Sequence, residues 1–265
     1  MGSRGRYVDW GSAPRPVVLA HRGASADAPE NTTAAIALAR DQGADGVELD
    51  LQLCATGEVV VFHDFTLRAF GLPRPLRELS LAAMRSFDLG GGARVPTLED
   101  ALSAAGPDLL LNLELKSHHL RGEGLEPAVA RVLRRAAIPW ARILLSSFNP
   151  VSLMRAAVLM PRAPKAWLFH AGQSRAWRTM WPRVLRPLPG FFALHPEHAL
   201  CDEALVAHAH QAALRVHAWT ADTTAARSRL LALGVDGLIT NHPASLRQLL
   251  HAAGDSARAE TACGE

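Results

Sequence analysis

Lysine is nearly missing from this 265-residue chain: Lys116 and Lys165 are lysine, and the other 26 of its 28 basic residues are arginine. Such a skew reflects genome composition, so arginine abundance by itself identifies no partner. Cysteine is scarce too. Cys54, Cys201 and Cys263 are odd in number and lack metal-type spacing, which points to a reducing compartment. The opening MGSRGRYVDWGSAPRP has no apolar signal core, and no later apolar run is long enough to span a bilayer. A cytoplasmic protein is expected. No basic block interleaved with aromatics runs through the chain, and net charge is only +3, so nucleic acid is excluded as a partner. A Walker loop and a nucleophile elbow are absent as well.

What is present is an alternation. Hydrophobic residues make up 49% of the chain, enough for a sizeable core. Short apolar runs are each followed by helix-like sequence: PVVLA at 16–20, DGVELDL at 45–51 with EVVVFH at 58–63, LLLNLELK at 109–116 and RILLSSF at 142–148. KAWLF, FFALH, RVHAW and DGLIT then begin at 165, 191, 215 and 236. The runs are continuous rather than alternating, as parallel strands buried on both faces require. Eight β–α units in this length predict a single (β/α)8 barrel over 14–252, with a short insertion after the second strand region. Residues 1–13 and 253–265 are expected to be loose. An open doubly wound sheet is the competing fold, but no Gly-rich dinucleotide turn follows the first strand.

Polar residues collect where these strands end. His21 and Arg22 follow the first; Glu48 and Asp50 stand at i and i+2 in the second and share a face. His63 and Asp64 end EVVVFH, Glu114 and Lys116 repeat the i, i+2 spacing, and Trp219, Thr220, Thr240 and Asn241 close the last two strands. Charges in apolar strands are costly unless paired or bound to an ion. The Glu48/Asp50 pair could face solvent, but Val47, Leu49 and Leu51 flank it; Glu114 and Lys116 could form a structural ion pair. His118 and His119 read as loop residues and His208 and His210 as residues of an exposed helix. His195 and His217 lie in or at barrel strands, which leaves both a core role and a site role open for them.

Three carboxylates without cysteine favour a hard divalent ion, Mg²⁺ or Ca²⁺, with Mn²⁺ as a third option. Two histidines beside it suit general acid and base, and Arg22 and Lys116 suit a phosphate. The sum describes metal-assisted phosphodiester cleavage.

The stretches AHRGASADAPENT, GADGVELDLQLCATGEVVVFHD, VPTLEDAL, LLLNLELK, ILLSSF, RVHAWTAD and LGVDGLITNHP, in this order from 20 to 243, resemble the glycerophosphodiester phosphodiesterase family. That resemblance implies a metal-dependent barrel enzyme splitting glycerophosphodiesters into an alcohol and sn-glycerol 3-phosphate. It implies His21 and His63 as the acid–base pair and Glu48, Asp50 and Glu114 as metal ligands. Arg22 and Lys116 become phosphate contacts, Glu30 a supporting residue, and Trp219 a pocket wall. Two departures stand beside the pocket. The family often has Val-Asn after Trp-Thr and Thr-Asp after the last strand, where this chain has Ala221-Asp222 and Thr240-Asn241. They bear on substrate preference. The segment Phe65–Arg94 reads as short for a glycerol-recognition insertion with much structure of its own. The alternatives are lysophospholipase D-type hydrolysis of lipid diesters and a non-catalytic glycerophosphodiester-binding barrel. Residues 165–192, with five basic residues, three tryptophans and no acid, suggest weak peripheral membrane contact, with Pro182 expected to interrupt the helix there. Nothing in the sequence sets the oligomeric state.

Overall fold

The computed structural model describes residues 9–117 and 122–262, with side chains described up to residue 253. Its strands are β1 (Val17–His21), β2 (Gly46–Leu53), β3 (Val59–Val61), β4 (Thr66–Leu67), β5 (Leu72–Pro75), β6 (Leu110–Leu115), β7 (Ile143–Ser147), β8 (Lys165–Phe169), β9 (Phe191–Pro196), β10 (Arg215–Ala218) and β11 (Gly237–Thr240). Its helices are α1 (Thr33–Asp41), α2 (Leu81–Arg85), α3 (Leu98–Ala105), α4 (Leu125–Arg135), α5 (Pro150–Leu159), α6 (Arg175–Leu185), α7 (Glu203–Gln211), α8 (Thr224–Ala232) and α9 (Pro243–Ala262).

Eight strands run parallel in the order β1-β11-β10-β9-β8-β7-β6-β2, and β2 pairs back with β1 to close a (β/α)8 barrel. β3 adds to β2 antiparallel, with Leu51 opposite Val61. Alternation along each strand divides the core. Val17, Leu19, Leu110, Leu144, Ala166 and Ile239 fill the lumen, while Val47, Leu49, Leu111, Leu113 and Leu145 face the helices. Helix starts are specified locally: Thr32 caps α1, and Thr97 with Asp100 forms a capping box on α3.

Four features depart from sequence expectation, the first being that the backbone of α9 stays helical to Ala262, through most of the tail expected to be loose. Trp10 lies in the stretch expected to be loose, yet it is buried; its Nε1 donates to the Arg142 carbonyl at 3.1 Å and its ring stacks on His217. An indole with a partner for its N–H is too large an apolar surface to leave in water. The segment after His63 also has more structure than its length suggested. The β4–β5 hairpin and α2 enclose their own apolar cluster of Cys54, Val60, Leu67, Leu76, Leu79, Met84 and Val95. Lastly, α6 runs through Pro182. The ring removes only the N–H that would reach the Arg178 carbonyl, and the Arg186 N–H bonds the Pro182 carbonyl at 3.0 Å beyond it.

Candidate active site

Side chains from β1, β2, the loop after β3, and β6 converge at the C-terminal mouth of the barrel. Glu48 and Asp50 alternate inward on β2, and register sets Asp50 opposite Glu114 on β6. Oxygen atoms of Glu48, Asp50 and Glu114 all lie within 4.8 Å of one another, and all three carboxylates are buried. Crowding of this kind shows in their proton affinities. Burial, then the neighbouring Asp50 and Glu114 charges, pushes Glu48 well above the usual carboxylate range. Burial pushes Glu114 up to about 7, against the pull of Lys116. Burial opposes the Asp50 charge too, but Lys116 and Arg22 outweigh it and hold Asp50 low.

The turn after β1 explains the order His-Arg-Gly. Arg22 takes a left-handed φ of 56°, which lets its backbone N–H donate to Glu48 Oε2 at 3.2 Å. Gly23 follows at φ 81°, and a Cβ there would stand 2.6 Å from the Ala35 carbonyl carbon of α1. Only glycine lets the helix approach so closely. The guanidinium then lies between two carboxylates: Nε is 3.2 Å from Asp50 Oδ2, and Nη1 donates to both Glu30 oxygens at 3.0 and 2.9 Å. Lys116 Nζ is 3.2 Å from Asp50 Oδ1 and 3.6 Å from Glu114 Oε1.

Both candidate histidines are held through Nδ1. His21 Nδ1 is 2.7 Å from Asn241 Oδ1, and His63 Nδ1 is 2.8 Å from Asp64 Oδ1. His21 Nε2 is 3.9 Å from Glu48 Oε2. Burial and the Arg22 charge lower the His21 proton affinity. A pocket of about 140 Å³ is lined by His21, Arg22, Glu48, His63, Glu114 and Lys116 on its polar side, and by Phe148, Leu168, Trp219 and Ile239 on the other. Trp219 is fixed by donating Nε1 to the His195 carbonyl at 2.8 Å, with Phe148 edge-on to it. A second cavity of about 440 Å³ meets this pocket at Lys116. Gln52, Cys54, Phe65, Pro75 and Leu125 are among its walls, as is the Arg77–Glu123 ion pair at 2.9 Å.

The residues assigned a catalytic, metal or substrate role from sequence therefore fall at or beside one pocket. Several supporting residues were not anticipated. Asn31 donates to Asp50 Oδ2 at 2.9 Å and accepts from the Asp50 N–H at 3.3 Å. Gln52 Nε2 reaches the carbonyls of Phe62, His63 and Asp64 at 2.7, 3.1 and 2.9 Å, tying the His63 loop to β2. Gln52 sits at i+2 from Asp50, the same inward spacing that marked Glu48 and Asp50, and that spacing was the signal available. His195 and His217 belong elsewhere: they pair with each other at 3.0 Å, buried at the opposite end of the lumen beside Trp10. His208 and His210 lie exposed on α7, as expected, and His118 and His119 fall outside the described residues.

Three hard oxygen donors facing one point, two of them with elevated proton affinity, fit a divalent cation that would offset their repulsion. Comparison with known proteins agrees with this chemistry. The model of the glycerophosphoryl diester phosphodiesterase family matches residues 21–245. A glycerophosphodiester phosphodiesterase of Caldanaerobacter subterraneus subsp. tengcongensis is 31% identical, over 91% of this chain and 100% of that protein. Another, from Bacillus altitudinis, is 30% identical over 85% of this chain and 94% of its own length. The solved structure of an Oleispira antarctica phosphodiesterase in complex with the product sn-glycerol-3-phosphate aligns with a TM-score of 0.79 at 29% identity, covering 89% of this chain and 97% of that one.

Proposed function

This chain belongs to the glycerophosphoryl diester phosphodiesterase family, and from that premise we propose that its barrel mouth hydrolyses glycerophosphodiesters to an alcohol and sn-glycerol 3-phosphate. The observation that carries this reading is the juxtaposition of three buried carboxylates with two Nδ1-held histidines and two cations in one pocket. Glu48, Asp50 and Glu114 hold the ion, Mg²⁺ or Ca²⁺ by donor type, with Mn²⁺ able to substitute. When bound, the ion neutralises charge on the phosphoryl group. Arg22 and Lys116, each already anchored by Asp50, direct their remaining N–H donors at phosphate oxygens. Glu30 keeps the Arg22 fork in plane. With Nδ1 engaged, each histidine has Nε2 left to exchange protons, so His21 and His63 serve as the acid–base pair. Trp219 and Phe148 close the apolar side and exclude water.

The cavity beyond Lys116 bears on the leaving alcohol. A charged pair, Arg77 and Glu123, lines it, which favours a polar alcohol over an acyl chain and ranks the small-diester reading above lipid hydrolysis. The test is a panel of glycerophosphocholine, glycerophosphoethanolamine and an acylated diester with Mg²⁺, Mn²⁺ or Ca²⁺. Metal-dependent release of sn-glycerol 3-phosphate, fastest from the short diesters, is expected. Binding without turnover under every metal would leave a non-catalytic barrel.

Peripheral membrane contact belongs to a wider face than 165–192. Trp177 and Trp181 pack partly against the core, while the exposed large apolar residues are Met180 and Val184 on α6 and Met154 and Val158 on the neighbouring α5. Residues 127–196 contain eleven Lys or Arg and no Asp or Glu. An apolar strip on an arginine-rich face suits an anionic lipid surface, and sedimentation with anionic vesicles at low salt tests it. Among the described residues, no helix is long and apolar enough to cross a membrane.

A further inference from the structure

We propose that Asp222 and Asn241 are positioning residues that set the ring tautomer of His21, fixing its proton on Nδ1 and leaving Nε2 bare toward the pocket. The proposal rests on the acid–base role of His21 but makes a separate claim about it. A chain of hydrogen bonds leads from a buried arginine to this ring, and each link admits one direction. Arg227, buried beneath the last βα loop, donates to the Ala221 carbonyl, to Ser245 Oγ, and to Thr240 Oγ1 at 3.0 Å. Thr240 Oγ1 also receives the His242 N–H at 3.2 Å. Having two donors already, that hydroxyl turns its own proton to Asp222 Oδ1 at 3.0 Å. The Asn241 backbone N–H donates to the same oxygen at 2.8 Å.

The other oxygen, Asp222 Oδ2, faces the Asn241 side chain at 2.6 Å. A carboxylate only accepts, so Asn241 must present its NH2 group there. Its carbonyl is thereby forced the opposite way, toward Ser25 Oγ at 2.8 Å and His21 Nδ1 at 2.7 Å. Amide oxygen has two lone pairs and no proton. It accepts from the Ser25 hydroxyl with one and from His21 with the other, so Nδ1 carries the hydrogen. In the neutral ring Nε2 is then the only nitrogen able to take up a proton. Asp222 touches neither His21 nor the pocket; it acts through the orientation of one amide.

A single change of Asp222 should reverse this. In Asp222→Asn, two donors still converge on the Oδ1 position, so oxygen stays there and NH2 occupies the other. That NH2 would face the Asn241 NH2. Asn241 must then flip, presenting its own NH2 to His21 Nδ1 and moving the ring proton to Nε2. Adding Asn241→Asp returns an acceptor-only group beside His21 and should restore the original tautomer.

Long-range ¹H–¹⁵N spectra of ¹⁵N-histidine-labelled protein above neutral pH read the tautomer directly, with the His21 signals assigned by their loss in His21→Gln. The wild type is expected to show Nδ1–H and Asp222→Asn to show Nε2–H, with kcat lowered roughly a hundredfold and KM little changed. Asp222→Asn/Asn241→Asp should regain Nδ1–H and most of the kcat. An Nε2–H signal in the wild type, which needs no variant to fold, overturns the proposal; so does retention of Nδ1–H in Asp222→Asn. Reversal of the tautomer with unchanged turnover would uphold the positioning and instead remove His21 from the acid–base pair.

Discussion

The two ends of the barrel lumen each hold a pair of histidines, and they treat them in opposite ways. At the mouth, His21 and His63 stand apart, each with Nδ1 bonded to an oxygen and the pocket beside it. At the floor, among the described residues, His195 and His217 hydrogen-bond only to each other through their rings, under a lid of Trp10 and Phe192. Their neighbours differ as much. Three carboxylates, Arg22 and Lys116 surround the mouth pair. Among the described residues, no carboxylate lies within 4 Å of either floor ring, and burial drives His195 down to about 3 and His217 well below its ordinary value. Under the proposed mechanism, one residue type in one lumen thus becomes either a proton carrier or a neutral packing group. The choice is made by the oxygen behind Nδ1 and by access to charge.

Removing the ion is the harshest way to break the mouth. Exhaustive chelation should abolish phosphodiesterase activity reversibly, and Glu48→Gln, Asp50→Asn or Glu114→Gln should each weaken divalent-metal binding, with partial rescue at high metal. The same carboxylates repel one another when the ion is absent, so Glu48→Gln should cost the chelated protein no thermal stability. Mg²⁺ or Ca²⁺ should raise the wild-type Tm by mass action. Full activity after chelation would end the metal assignment. Next in size is exchange of the histidines. His21→Ala and His63→Ala should each lower kcat by roughly a hundredfold, about 2.7 kcal/mol of barrier, while metal affinity changes little. Near-normal turnover in either would return that histidine to the packing class of the floor.

The barrel was largely legible in continuous apolar runs alternating with helix-like segments, and the mouth in the period-two spacing of its charged residues. Glu48, Asp50 and Glu114 announced a shared inward face, and His63 stood at a strand end. Trp10 was not legible. Its burial depends on the floor being open to a side chain 207 residues away in the chain, His217, which no local pattern records. Nor could sequence show what Asp222 and Asn241 do. They appeared as two separate departures from the family pattern beside the pocket and were read as bearing on substrate. Across the 2.6 Å contact they are one exchange: the carboxylate and the amide have traded places, and the atom facing His21 is still an oxygen. Residues 19 apart in sequence compensate each other only because β10 and β11 end side by side.

The smallest expected effect belongs to the floor, and it is an acid sensitivity. Unfolded, each histidine titrates near 6.5; folded, His195 resists protonation down to about 3 and His217 also lies well below 6.5. Between those values the unfolded chain binds protons that the folded chain refuses, so stability is complete above the unfolded value and falls as pH drops below it. At about pH 5 the loss from His195 is about 2 kcal/mol, and His217 acts in the same direction. Two protonated rings 3.0 Å apart would also present only donors to each other, which closes off relief by sharing. Urea midpoints at about pH 7.5 and about pH 5 for the wild type and for His195→Met/His217→Phe measure this difference. The double variant starts less stable, since both rings pack against Trp10 or each other, yet its midpoint should fall less on acidification. Its kcat at neutral pH should stay near that of the wild type, because neither floor ring lines the catalytic pocket. Equal acid losses in the two proteins would mean that protonation elsewhere governs acid stability, and that the floor pair is no more sensitive to acid than the mouth.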